Sequence, residues 1–179
     1  MLHGGRWPSI LLTLSLLACS PALNWREVRF EPAIPLRMLL PCKPDRATRE
    51  VDMAGHKLTL QMLGCDADGG TFAVSHVQLA DATAAAAVLV GWKSAVLAHV
   101  QAQSVQDLPW TPAGAAADLP SLRLQALGRR AGGEGVALQA AWFGVTGPGG
   151  VHLFHAVMFS PRPRPDVAEA FFSGLAAAR

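Results

Sequence analysis

The chain has 179 residues, 15 basic against 13 acidic, with a hydrophobic share of 51% and 17 glycines. So even a charge balance lacks the concentrated basic face that nucleic acid demands, and the length is that of one domain with a real core. Alanine is abundant and tyrosine absent, which we read as compositional bias.

The N-terminus comes first in chain order. MLHGGRWPS carries Arg6 and no acid, and an apolar run from Ile10 to Ala18 follows it, the layout of a signal peptide. The run is too short for the roughly 20 residues of a transmembrane helix, and no later stretch reads as one. The sequence Leu16-Leu17-Ala18-Cys19 resembles the lipobox of bacterial lipoproteins. That resemblance implies removal of residues 1–18, a diacylglycerol thioether on Cys19 and an acyl chain such as palmitate on its amine. Several acyl chains anchor stably where one is marginal. Ser20 differs from the aspartate of inner-membrane retention, so the resemblance implies the periplasmic face of the outer membrane.

With Cys19 set aside, Cys42 and Cys65 form an even pair in a compartment that favours disulfides, and they lack the C-x-x-C spacing of a redox or metal pair. Residues 19–23 make a short tether, and a single domain over 24–179 follows. The pattern predicts strands at Asn24 to Phe30, Thr48 to Asp52, Lys57 to Leu63 and Thr71 to Leu79, with turns at Ala54-Gly55 and at Asp66 to Gly70. Asp81 reads as an N-cap for one long helix through residues 82–103, with Val88, Trp92, Val96 and Val100 on a stripe. A proline-framed loop spans Asp107 to Pro120. Strands are expected at Leu122 to Arg129, Val136 to Val145 and Val151 to Phe159, the last apolar on both faces. After PRPRP, Asp166 and Glu169 suggest a capping box for a terminal helix.

These elements predict an α+β fold, a three-layer α/β/α sandwich with a mostly antiparallel sheet, one long central helix and a C-terminal helix. An extended segment ending in Leu40-Pro41-Cys42-Lys43-Pro44, a β-meander, a helix, three strands and a closing helix with Phe171, Phe172 and Ser173 follow one another in this chain. That order resembles the PsbP/Mog1-type α/β/α sandwich and proteobacterial lipoproteins that share the layout. The resemblance implies a binding or assembly factor.

No residue set stands out as catalytic. His152 and His155 form H-x-x-H in a strand, where a period of two sends them to opposite faces and away from a shared metal. Ser75 and His76 are neighbours with the same difficulty. His56 and His99 read as solvated. Asp66 and Asp68 resemble the start of a calcium loop, yet Gly70 and Val77 occupy later ligand positions, so a plain turn is expected. The glycines of GRRAGGEG and TGPGG lack the lysine of a phosphate loop. Candidate contact residues are Trp110, in LPWTPAG, and Arg162 and Arg164, in the stiff PRPRP segment.

The expectation is a non-enzymatic lipoprotein of the cell envelope, held to the membrane by Cys19 and binding an envelope protein or component, with no cofactor, no metal and no nucleic acid. Two rivals stand beside it. A small hydrolase would gather Ser75, His76, Asp66 and Asp68 in one cleft. A carrier of lipid or another small ligand would need an apolar cavity between the sheet and the long helix.

Overall fold

The computed structural model describes residues 22–178. Cys19, the lipobox before it and the signal segment over 1–18 lie outside the described residues. Ten strands form: β1 (Arg26–Arg29), β2 (Leu36–Leu40), β3 (Asp45–Met53), β4 (His56–Ala67), β5 (Gly70–Leu79), β6 (Gln103–Leu108), β7 (Leu122–Arg129), β8 (Gly135–Gly147), β9 (Gly150–Ser160) and β10 (Ala176–Ala177). Two helices accompany them, α1 (Ala85–His99) and α2 (Pro165–Ser173).

The seven long strands make one antiparallel sheet in the order β3-β4-β5-β9-β8-β7-β6, and β1, β2 and β10 make a second, small one. Tight hairpins set the register. Ala54 and Gly55 (φ 52° and 79°) join β3 to β4, and Asp68 and Gly69 (φ 49° and 71°) join β4 to β5. Positive φ at both central residues twists each turn with its strands.

This corrects the expected three-layer α/β/α sandwich with a long central helix. The chain is mostly β, 52% strand and 17% helical, with two sheets and only two helices. Two segments account for the difference. Leu36, Met38 and Leu40 alternate as buried residues along β2, so the extended segment that ends at Leu40-Pro41 is a strand paired with β1 in a sheet of its own. Gln103–Leu108, read as helix tail and loop, is instead the edge strand β6. The helix stops at His99 because Gln101 takes φ 46°, the left-handed conformation that ends helices. Nor is α1 central; it lies on one face of the large sheet.

Alternation along the inner strands sorts two cores. On the α1 face lie Val77, Leu138, Ala140, Trp142, Leu153 and Val157 with Val88, Leu89 and Trp92 of the helix. On the other lie Phe72, Val74, Phe143, Phe154 and Met158, covered by β2 together with Phe171 and Phe172 of α2. Helix α1 follows a 3-10 turn (Ala82–Ala84) capped by Asp81, whose Oδ1 accepts from the Thr83 N–H at 2.9 Å. By length and composition Ala82–His99 is long and apolar enough to cross a membrane, contrary to the sequence reading. Here Ala85, Val88, Leu89 and Trp92 pack on the sheet. Helix α2 begins with Pro165 at its first turn and Arg164 as a cap without a side-chain bond, so the capping box at Asp166 does not form.

Cys42 and Cys65 form a disulfide with Cα atoms 6.0 Å apart, tying the exit of β2 to the end of β4. The charged edge strand β3, with Asp45, Arg46, Arg49, Glu50 and Asp52 exposed, resists pairing with another chain.

Candidate functional site: a groove under helix α1

Helix α1 packs across β8, β9 and β3 on one face of the large sheet. Past Trp92, Val96 is half-buried and His99 exposed, while Val100 returns to the core. Gly91 and Ala95 place little bulk on the side facing β3. An open groove results. Leu60 and Met62 form its wall, Ala73, Ser75, Val157 and Phe159 its floor, and Trp92, Val96 and His99 its roof. Its inner part measures about 540 Å³ and its continuation along β3 about 720 Å³. Such volumes with apolar linings are typical of ligand sites.

His155 is the polar feature of the floor. Its ring stacks on Trp142 (centroids 4.8 Å apart, planes 17°) and leans on Trp92 at 5.3 Å. It is 6% exposed, and its Nε2 has no hydrogen-bond partner. Burial pushes its pKa down to about 3, so the ring is neutral at pH 7. A buried imidazole nitrogen without a partner costs on the order of 1–3 kcal/mol, a penalty that a ligand group bonding to it would relieve. Ser75 is the cross-strand partner of His155, so the two side chains share one face.

The opposite face holds a buried histidine pair. His76 Nε2 lies 3.0 Å from His152 Nδ1, and His152 Nε2 lies 3.0 Å from the Pro148 carbonyl. That carbonyl can only accept, so Nε2 of His152 carries a proton. In the neutral ring its Nδ1 then accepts, His76 donates through Nε2, and His76 Nδ1 is left buried without a partner. Burial, and then the neighbouring His152, lower the His76 pKa to about 3. Phe30 and Phe154 pack on the His76 ring, at centroid distances of 5.7 Å and 5.1 Å.

The hydrolase set therefore does not assemble. Ser75 faces the groove and His76 the other core. Asp66 accepts from Thr71 Oγ1 at 2.6 Å, and Asp68 is held by Arg164. The H-x-x-H pair divides likewise, His152 with His76 and His155 with the tryptophans. Among the described residues no group of three or more His, Cys, Asp or Glu is placed to hold a metal.

The three contact candidates fare differently. Trp110 is half-buried, set edge-on against Phe143 (5.5 Å) and Phe172 (6.1 Å), so it closes the second core. Arg164 bonds to the carboxylate and the carbonyl of Asp68, clamping the PRPRP segment to the β4–β5 turn. Arg162 alone is exposed and outside any ion pair among the described residues. Sequence reasoning missed the Ser75–His155 pairing and the buried Arg123, whose Nη2 meets Glu169 at 2.9 Å while its guanidinium covers Phe172 at 4.5 Å. The first needs the β5–β9 register. The second needs the docking of α2, and neither leaves a local signal.

Compared with known proteins, no family model matches this chain and no curated protein does either.

Proposed function

We propose that this chain is a non-catalytic, lipid-anchored module of the cell envelope that holds an apolar ligand in the groove between α1 and the large sheet. The groove carries the proposal. Its floor and inner wall are mostly apolar, with exposed Asp45, Arg46, Arg49 and Asp66 lining the rest; Trp92 gives an aromatic roof, and one unpartnered polar atom, His155 Nε2, would orient whatever enters. Read as a lipobox, the sequence ending at Cys19 supplies the address. Hydrolysis is the weaker reading, because His155 Nε2 bonds to no serine and Ser75 and His76 point to opposite faces.

Two measurements test it. Intact mass of the membrane-extracted protein should show a chain starting at Cys19 with acyl mass added, and a Cys19→Ala variant should lose that mass; an unacylated native chain overturns the anchor. Titration with the neutral fluorophore N-phenylnaphthylamine should saturate, with Met62→Arg weakening binding by roughly tenfold or more because a charge faces the apolar ligand. Met62 is 37% exposed, so this substitution leaves the core alone. Equal binding by the variant removes the groove from the proposal.

A further inference from the structure

The antiparallel order gathers several chain segments at one end of the large sheet. The start of β3 (Asp45 opposite Gly64), the β4–β5 turn, the β7–β8 turn (Arg129 opposite Gly135) and the segment after β9 all lie there. The N-terminal tether arrives at the same end. The Asn24 N–H donates to the Pro41 carbonyl at 2.8 Å, and the next residue, Cys42, is bridged to Cys65 at the end of β4. From Ala22 back to Cys19 the chain reaches at most about 10 Å.

Arg26, Lys43, Arg46, Arg129, Arg130 and Arg162 share that end. All are exposed, and none joins an ion pair among the described residues. Asp45, Asp66, Glu134 and Asp166, two residues past Arg164, are the exposed acids among them, Asp68 being neutralised by Arg164, so six free cations face four free acids. The opposite end reverses the balance: Asp52, Asp81 and Asp118 are exposed there with Lys57, and Lys93 is taken by Asp107. A chain of near-zero net charge is thus polarised along its strands.

We propose that this end is a docking face for anionic phospholipid headgroups, which sets the domain upright on the membrane that holds its lipid. The orientation rests on reading Cys19 as an anchor; the headgroup contact rests on the unpaired cations alone. Near an anionic surface each such cation adds roughly fivefold to partitioning, and the effect decays within a Debye length.

The test uses the full chain with Cys19→Ala, so that no acyl group contributes. Its co-sedimentation is compared on vesicles of phosphatidylcholine and of phosphatidylcholine mixed with phosphatidylglycerol. Any pull by the apolar N-terminal run is common to both and cancels in the ratio. Binding should favour the anionic vesicles and fall as salt rises. Arg129→Gln/Arg130→Gln/Arg162→Gln should lower the ratio about 100-fold, and Lys57→Gln at the far end should leave it unchanged. Equal binding to both vesicles overturns the proposal, as does a triple variant that keeps the ratio. Equal retention on duplex DNA with the same arginine dependence also overturns it, making the face a general polyanion surface. The mass measurement at Cys19 is independent, so an unacylated chain that still selects phosphatidylglycerol refutes the anchor and not this face.

Discussion

The two histidines with strongly lowered pKa values make the stability of this protein depend on pH in a way that one substitution can dissect. In the unfolded chain His155 takes a proton as pH falls through about 6.5, whereas the folded chain resists it until about 3. Between those values the unfolded state binds more protons, so stability is fully present above about 6.5 and drains away as pH falls. At about pH 4.5 the loss from one such group is on the order of 3 kcal/mol, a large part of a typical domain's stability. His76 adds a loss in the same window. His155→Phe removes one of the two, and a phenyl ring can occupy the stack between Trp92 and Trp142 while deleting the unpartnered Nε2. We expect the variant to lie within about 1 kcal/mol of the wild type at pH 8, and to lose roughly 3 kcal/mol less than the wild type on going to about pH 4.5. Urea unfolding followed by circular dichroism at both pH values measures the difference, and carboxylate protonation is common to both proteins. Equal losses would refute the reasoning, since they require that His155 titrate alike in folded and unfolded chains.

The disulfide and two glycines give further outcomes. Cys42 and Cys65 are 23 residues apart, and closing a loop of that size is worth about 3 kcal/mol on the chain-entropy model. Cys42→Ser/Cys65→Ser should therefore lower Tm by about 10 °C in a calorimetric scan, and reductant should reproduce the shift in the wild type. Gly128 sits where β7 passes the end of α1: a Cβ there would lie 2.3 Å from the Val100 carbonyl, which accepts the Arg129 N–H at 2.7 Å. Gly128→Ala should cost about 2 kcal/mol or more in urea unfolding. Gly91→Ala, which meets nothing within 4 Å, should gain up to about 1 kcal/mol.

Much of the large sheet was legible as strands. Leu122 to Arg129 forms over the expected residues, and Val151 to Phe159, apolar on both faces, becomes β9 between two covered sides. The layer arrangement was not legible. The alternation of Leu36, Met38 and Leu40 lies between Pro35 and Pro41 and reads as an extended segment, but nothing local says that it pairs with β1 in a second sheet. Strand β6 is exposed along almost its whole length, so no apolar alternation marks it, and the helix before it ends at His99 with Gln101, not a glycine, in the left-handed position that marks such a stop. The site was hidden for a different reason. Parity within a strand says that Ser75 and His76 separate, as do His152 and His155. It cannot say which histidine joins which serine, because that depends on the register between β5 and β9.

One topological feature underlies both proposals. The chain leaves β5 at the end of the sheet away from the tether, and α1 carries it back over the sheet toward the tether end to begin β6 there. Helix α1 packs on β8, β9 and β3 alike, and the strip left open between it and the β3–β4 hairpin is the groove. Because α1 ends beside Arg129, the groove opens past His99 toward Thr71 and Arg130, which line its continuation. That is the end where the tether emerges and the unpaired cations gather. A ligand taken from a bilayer would meet the arginines first and the apolar strip next. His155, the deepest polar group, would come last. The emerging N-terminal segment, the charged end and the groove are thus arranged in the order in which an amphiphile leaving a membrane would encounter them.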